Sequence, residues 1–273
     1  MVVFPNAKIN IGLNILGKRA DGFHDLQTIF YPVGCKDILE LIPADAKNDI
    51  PYTYSSSGRA VDGNEAENLC IKALQLIRKD YPALPSLKIH LHKEIPMGAG
   101  LGGGSADAAF MLKLIDQYFE LHLTEAQLSV YALQLGSDCP FFLYNKPCLA
   151  TGRGEQLQPV ELDLSAYSIL LVNPGIHVNT GWAFRSLELE KNSTDLTAAI
   201  KAPIESWKQV ITNDFEKPVF KEYPAIADVK NQLYEAGAVY AAMSGSGSTV
   251  FGIFPEQSQM QLNFPAAYFT KWV

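Results

Sequence analysis

Residues 96–109 read Pro96-Met97-Gly98-Ala99-Gly100-Leu101-Gly102-Gly103-Gly104-Ser105-Ala106-Asp107-Ala108-Ala109. Five glycines stand within the seven residues 98–104. Each costs roughly 0.5–1 kcal/mol against alanine inside a helix or strand, so such a run belongs to neither. Its use is to bring backbone N–H groups close to something bulky and anionic. Good helix formers follow at once, from Asp107 to Leu114. The segment therefore delivers its amides at a helix N-terminus, where unpaired donors and the helix dipole favour phosphate.

Two common phosphate loops fit poorly. Gly98, Gly100 and Gly103 satisfy GxGxxG, but a dinucleotide fingerprint needs a second strand ending in an acid about 20 residues on. The acid near that distance, Asp116, falls inside continuous helical text. A GxxxxGK[ST] loop would need a lysine where Gly104 stands. A dinucleotide-binding oxidoreductase is thus a distant alternative.

Working outward, Leu87-Lys88-Ile89-His90-Leu91-His92 alternates with period two and predicts a strand leading into the glycines. Ala7–Leu16, Leu26–Val33 and Ile38–Ile42 also read as strands. Residues 64–81 read as a helix with Asn64 as its cap, and 124–135 as another capped by Thr124. Phe141–Tyr144, Cys148–Thr151, Ser168–Val172, Ala238–Met243 and Thr249–Phe254 are strand-like. Helical text covers Asn179–Leu189, Ile204–Val210 and Ile226–Ala236. The mixture predicts an α+β fold. The polar, glycine-rich Thr151–Glu155 marks the best boundary, giving domains 1–154 and 155–273. The aromatic tail Pro265–Val273 either packs on the core or forms a contact.

The 273 residues carry a net charge of −7, against the basic excess of a nucleic-acid-coating surface. The four cysteines form no CxxC, which fits a reduced cytoplasmic setting. No apolar run reaches the roughly 18 residues of a membrane span. Neither nucleic acid nor membrane is an expected partner, and the oligomeric state stays open.

The stretch 96–109 resembles the phosphate loop of the GHMP family of small-molecule kinases. Three further segments extend the resemblance. Pro5-Asn6-Ala7-Lys8-Ile9-Asn10-Ile11-Gly12-Leu13, followed by Gly17-Lys18-Arg19-Ala20-Asp21-Gly22-Phe23-His24, is similar to the opening of one member. Gly136-Ser137-Asp138-Cys139-Pro140-Phe141-Phe142 and Met243-Ser244-Gly245-Ser246-Gly247-Ser248 match two other signatures. The family implies a two-lobed α+β fold with the active site in the cleft between lobes. It implies ATP, with Mg²⁺, as phosphoryl donor, and no protein ligand for the metal can be named from the sequence. The member with this opening implies phosphorylation of the 2-hydroxyl of a cytidylated methylerythritol, in non-mevalonate isoprenoid precursor synthesis. The alternative within the family is a kinase of homoserine, mevalonate or a sugar.

Residue roles follow from the resemblance. Asp138 accepts the hydroxyl proton and Lys8 is its electrostatic partner. On its own residues, Asp138 reads equally well as a cap of its turn, and Lys8 as a solvent-facing strand residue. Pro96, Met97, Gly98, Ala99, Gly100, Leu101, Gly102, Gly103, Gly104, Ser105 and Ala106 hold ATP, with Asn68, Leu69 and Lys93 nearby. Ser105 could instead cap the helix, and Asp107 could be a favourable N-terminal charge. On the substrate side, the resemblance implies Asn10, Thr180, and Phe23 and Phe184 sandwiching a cytosine whose edge His24 reads. The substrate is then a small molecule carrying a cytidine diphosphate group. Trp182 competes with Phe184 for the second ring. The family commonly has Tyr where Phe23 stands; stacking survives that change and a hydroxyl contact does not. His90, His92, His122 and His177 read as ordinary solvated or packed histidines, and Ser244–Ser248 as a hairpin turn.

Overall fold

The computed structural model describes residues 1–44, 51–61, 63–188, 194–255 and 262–273. The first part of the chain runs β1 (Val2–Val3), β2 (Asn6–Lys18), β3 (His24–Lys36), β4 (Ile38–Pro43) and β5 (Tyr52–Gly58). It continues with α1 (Leu69–Asp80), β6 (Leu87–Lys93), α2 (Gly103–Phe119), α3 (Glu125–Leu135) and α4 (Cys139–Tyr144). Then come β7 (Cys148–Thr151), β8 (Gln156–Pro159), β9 (Ser168–Asn173), α5 (Thr180–Arg185), α6 (Leu196–Ala199) and α7 (Trp207–Val210). The chain ends with α8 (Glu216–Glu222), α9 (Pro224–Glu235), β10 (Tyr240–Met243), β11 (Val250–Phe254) and β12 (Phe269–Trp272). Among the described residues, no helix is long and apolar enough to cross a membrane.

Two compact units share the chain. One comprises Met1–Ala7, Gly34–Met97 and Gly102–Asn145; the other comprises Lys8–Val33, Gly98–Leu101 and Lys146–Val273. This division differs from a single boundary after residue 154. Thr151 pairs with Gln156 across the β7–β8 hairpin, so that boundary falls inside a turn between paired strands. The hairpin joins β3 through Thr28–Phe30, in a sheet ordered β2-β3-β7-β8. Most of β2 and β3 therefore belongs with the C-terminal part of the chain, while β1 stays in the first unit.

The first unit is built on a sheet ordered β1-β4-β6-β5, in which β5 runs parallel to β6 and the other pairs are antiparallel. Leu87, Ile89 and Leu91 of β6 point inward with Leu39 and Leu41 of β4, as the alternation predicts. They meet Ile71, Leu74 and Ile77 of α1 and Met111, Leu112 and Ile115 of α2. Lys93 continues the inward row of β6, so the same alternation buries a lysine.

Helix α1 starts later than its apolar pattern suggested. Asn68 is extended (φ −61°, ψ 130°) and its side chain accepts from the Cys70 N–H, so it caps α1. Asn64 caps a separate short 3₁₀ turn over Glu65–Glu67. Thr124 caps α3 in a reciprocal capping box with Gln127, as expected. Phe141–Tyr144, read as a strand, lies in α4. Pro140 sits at the helix start, where its fixed φ suits the first turn, and a four-residue apolar run carries no periodicity to decide between the two. The helical text from Asn179 contains α5, which ends at Arg185, and Leu189 lies outside the described residues.

The second unit holds the β2-β3-β7-β8 sheet strands and a wholly antiparallel sheet ordered β10-β11-β9-β12. The tail packs as a strand: Phe269 through Trp272 pairs with Asn173 through Leu170. Leu170, Val172, Val250 and Phe254 of this sheet bury against α9 residues Ile226, Val229 and Leu233.

Candidate active site

In the first unit the glycine segment enters α2. Gly102 is left-handed (φ +70°) at the cap position and supplies no side chain, so the first-turn N–H groups of α2 have no side-chain cap. A Cβ at Gly103 would stand 2.8 Å from Ile95 Cγ2 and 3.0 Å from Lys93 Nζ, so any side chain there would have to displace Ile95. Ser105 is therefore not the cap. It sits one turn in, and its hydroxyl is hydrogen-bonded with the Cys139 thiol. Beside this helix end is a cavity of about 360 Å³, whose walls include Tyr54, Asn68, Leu69, Met97, Gly104 and Asp107.

Behind the cavity lies a buried ionic triad. Lys93 is 0% exposed and donates to Asp37 Oδ2 and, at 2.6 Å, to Asp107 Oδ2. The remaining oxygen of Asp37 accepts from the N–H groups of Glu94 (2.6 Å) and Ile95 (2.8 Å). Burial pulls the Lys93 ammonium down, but the two carboxylates outweigh it and leave its pKa raised. Burial, with the charge of Asp37, pushes the Asp107 carboxyl up to about 7. Both residues are buried, and Asp107 lies beyond the first turn of α2, so it is not a charge at the helix start.

Asp138 stands at the cap position of α4, also in the first unit, and its side chain makes no capping bond there.

In the second unit the carbonyls of three consecutive loop residues are tied into the fold. Ala99 O accepts from Thr249 N–H (3.2 Å) and Leu101 O from Lys8 N–H (3.0 Å). Gly100 O accepts from Lys8 Nζ (3.0 Å) and Ser244 Oγ (2.8 Å). In a trans peptide the N–H points opposite to the C=O. The N–H groups of Gly100, Leu101 and Gly102 therefore point away from those carbonyl partners. A Cβ on Gly100 would lie 1.9 Å from Ser244 O, so this approach requires glycine.

Lys8 is 3% exposed, not on a solvent face. Its ammonium donates to Asn10 Oδ1 at 2.6 Å and lies 4.9 Å from the centroid of the Phe30 ring. Asn10 Nδ2 donates to Thr28 Oγ1 (3.0 Å), and the Asn10 N–H donates to Ser244 Oγ (3.2 Å). Ser244 thus belongs to the Lys8–Asn10 cluster, although its Ser-Gly repeat read only as a hairpin turn. Buried Asn213 holds that turn by donating to the carbonyls of Met243 (2.7 Å) and Gly245 (2.8 Å). No local sequence signal marks Asn213. The Thr180 hydroxyl meets Ser246 Oγ at 3.1 Å, which brings α5 to the same turn.

His24 stacks on Phe184, with centroids 4.8 Å apart and planes 19° from parallel. Phe184 also meets Phe215 edge-on. Trp182 packs edge-on against Tyr223, so Phe184 is the ring associated with His24. Phe23 is 53% exposed, with the Arg153 guanidinium 4.6 Å from its ring centroid. His24 thus covers one face of Phe184, and the Arg153 guanidinium one face of Phe23.

Comparison with known proteins adds to this geometry. The family model for the GHMP kinases N terminal domain matches residues 68–146, and that for the GHMP kinases C terminal matches 196–268. The 4-diphosphocytidyl-2-C-methyl-D-erythritol kinase of Bacteroides fragilis (strain YCH46) is 48% identical over 270 residues, covering 98% of this chain and 97% of the relative. A crystal structure of 4-(cytidine 5'-diphospho)-2C-methyl-D-erythritol kinase aligns with a TM-score of 0.80 at 30% identity, over 93% of this chain and 90% of that one. A homoserine kinase from Cytophaga hutchinsonii aligns at 0.67 and 15% identity, over 98% and 94% of the two chains, and shares the fold.

Proposed function

Because the chain belongs to the GHMP kinase family, we propose that it transfers the γ-phosphoryl group of ATP to the 2-hydroxyl of 4-diphosphocytidyl-2-C-methyl-D-erythritol. This is a step of non-mevalonate isoprenoid precursor synthesis. The observation that carries the phosphoryl-transfer part is the loop whose carbonyls at Ala99, Gly100 and Leu101 are all anchored, leaving its amides outward ahead of an uncapped helix. The substrate follows from relatives that match along nearly the whole chain.

Phosphoryl transfer asks a protein for positioning and charge neutralisation. ATP supplies the phosphoryl group, and the loop Pro96–Ala106 takes its phosphates on backbone N–H groups. Asn68 and Leu69 border the nucleotide, and Lys93 acts behind it by fixing Asp107. Asp138 accepts the proton as the alcohol oxygen bonds to phosphorus and ADP leaves. Lys8 offsets the negative charge that develops on that oxygen. Asn10, already bonded to Lys8, orients the hydroxyl. Mg²⁺ accompanies the nucleotide; bound chiefly by phosphates and water, it asks few ligands of the chain.

Phe23, Phe184 and Thr180 border the cytidine end, and His24 reads the base edge once its ring lifts from Phe184. Stacking tolerates any base, so selection rests on that edge. CDP should therefore inhibit more strongly than UDP. His24→Ala should raise KM for the cytidylated substrate more than about threefold, or ~0.7 kcal/mol, with kcat nearly kept. Equal inhibition by the two nucleotides would remove cytosine recognition from the account. Buried thiols at Cys70, Cys139 and Cys148 suit a reducing compartment, and the enzyme is assigned to the cytoplasm.

A further inference from the structure

The glycine loop brings no cation of its own. Residues 96–106 hold neither Lys nor Arg, and Gly104 stands where a GxxxxGK[ST] loop has its lysine. The Lys8 ammonium already donates to Asn10 Oδ1 and Gly100 O. A polyanion seated on Gly98–Leu101 therefore has use for a further donor from the second unit.

The His177 imidazole stands beside this segment. Its Nδ1–Cε1 edge faces Gly98: a Cβ built on that glycine would lie 3.4 Å from Nδ1 and 3.6 Å from Cε1. Both residues belong to the second unit. His177 is exposed, and among the described residues its ring has neither a hydrogen-bond partner nor an ion pair. The backbone that carries it is fixed. Ser248 Oγ donates to the Ile176 carbonyl at 2.6 Å, and Val178 is buried. Buried Asn173 donates to Ser248 Oγ (3.1 Å) and Thr249 Oγ1 (3.0 Å), and its own oxygen accepts from the Gly175 N–H (2.8 Å). Just beyond, the Asn179 side chain caps α5. Ile176 packs on the core of this unit and Val178 joins it, so His177 between them turns outward beside the loop. The fold thus holds this imidazole in place without using either of its nitrogens.

We propose that His177 is a phosphate ligand, its ring N–H donating to a phosphate oxygen held at Gly98–Leu101. The proposal rests on the phosphoryl-transfer reading above. The ring offers an N–H in either protonation state, and a charged ring makes the stronger bond to phosphate. The nucleotide and the cytidylated substrate both carry oxygens of this chemistry, and the test separates them.

Calorimetry on the full chain gives dissociation constants for ATP and for CDP, with the wild type and with His177→Phe, His177→Asn and His177→Gln. Phenylalanine keeps a planar ring against Gly98 but has no donor. Asparagine and glutamine set an amide N–H near the Nδ1 and Nε2 positions. His177→Phe is expected to weaken ATP, CDP or both by at least about fivefold, and one of the two amides to restore affinity to within about twofold of wild type. Loss for ATP alone assigns the contact to the nucleotide, and loss for CDP alone assigns it to the diphosphate of the substrate. His177→Ala repeats the comparison if the phenylalanine protein does not fold. Unchanged affinity for both ligands in the folded donor-free variant would overturn the proposal and leave the kinase reading intact. Equal weakening by every variant would overturn it too, because the ring would then act by packing alone. A wild type that binds neither ATP nor CDP would remove the phosphoryl-transfer reading itself.

Discussion

Asp138→Asn should lower kcat by about two to four orders of magnitude, the range typical for loss of a positioned general base. The amide keeps the shape of the side chain but cannot take the alcohol proton. Since the Asp138 side chain makes no capping bond to α4, the change should leave the helix in place. Nucleotide affinity and thermal midpoint should stay near wild type, which separates loss of the base from loss of the fold. Steady-state kinetics with saturating ATP, beside a melting curve, make the measurement. A folded variant turning over within about tenfold of wild type would show that the proton goes elsewhere.

Lys93→Met should cost stability of about 3–5 kcal/mol, because it strands two buried carboxylates without their cation. For a chain of this size that is a fall in thermal midpoint of roughly 6–15 °C. Asp37 retains two backbone donors, whereas Asp107 loses the only partner of its bonded oxygen. The loss should be deepest at high pH, where both carboxylates must ionise. Adding Asp37→Asn and Asp107→Asn should recover part of it. Asp107 also gives the wild type a pH dependence. Burial holds its carboxyl at about 7 when folded, against the ordinary aspartate value of 3.8. Between those values the folded state holds the extra proton, so this group's contribution is full at the acid end and is lost as pH rises through 7. A Lys93→Met protein melting within a degree or two of wild type would contradict the triad's structural role.

The parts legible in the sequence are those set by local chemistry. Five glycines ahead of a helical run located the loop that enters α2, and Thr124 marked the start of α3. The alternation of β6 was legible as far as His92, and one further step would have turned Lys93 inward. Its partners Asp37 and Asp107 come from distant positions, and no local pattern joins them to it. The division into two units was hidden for a similar reason. It depends on β3 pairing with β7, more than a hundred residues later, and on Gly98–Leu101 belonging with Lys8 and Ser244. Strand pairing over such separations leaves no periodic trace. Short apolar runs were ambiguous for a different reason: Phe141–Tyr144 is too brief to show either period, and its neighbour Pro140 starts a helix. In the candidate active site, Lys8 and Asn10 share a face because they are two apart on β2, as the spacing implied. Ser244 and Asn213 join that site only through tertiary contacts.

The most direct test of the whole account is ADP release, coupled to a reporter, from the purified chain with ATP over a panel of alcohols. The panel holds 4-diphosphocytidyl-2-C-methyl-D-erythritol, its uridylated counterpart, homoserine, mevalonate and a sugar. The expected result is substrate-dependent ADP release with the cytidylated compound, at a kcat/KM at least about a hundredfold above every other member. Release driven best by homoserine, mevalonate or the sugar, with the cytidylated compound inert, would contradict it.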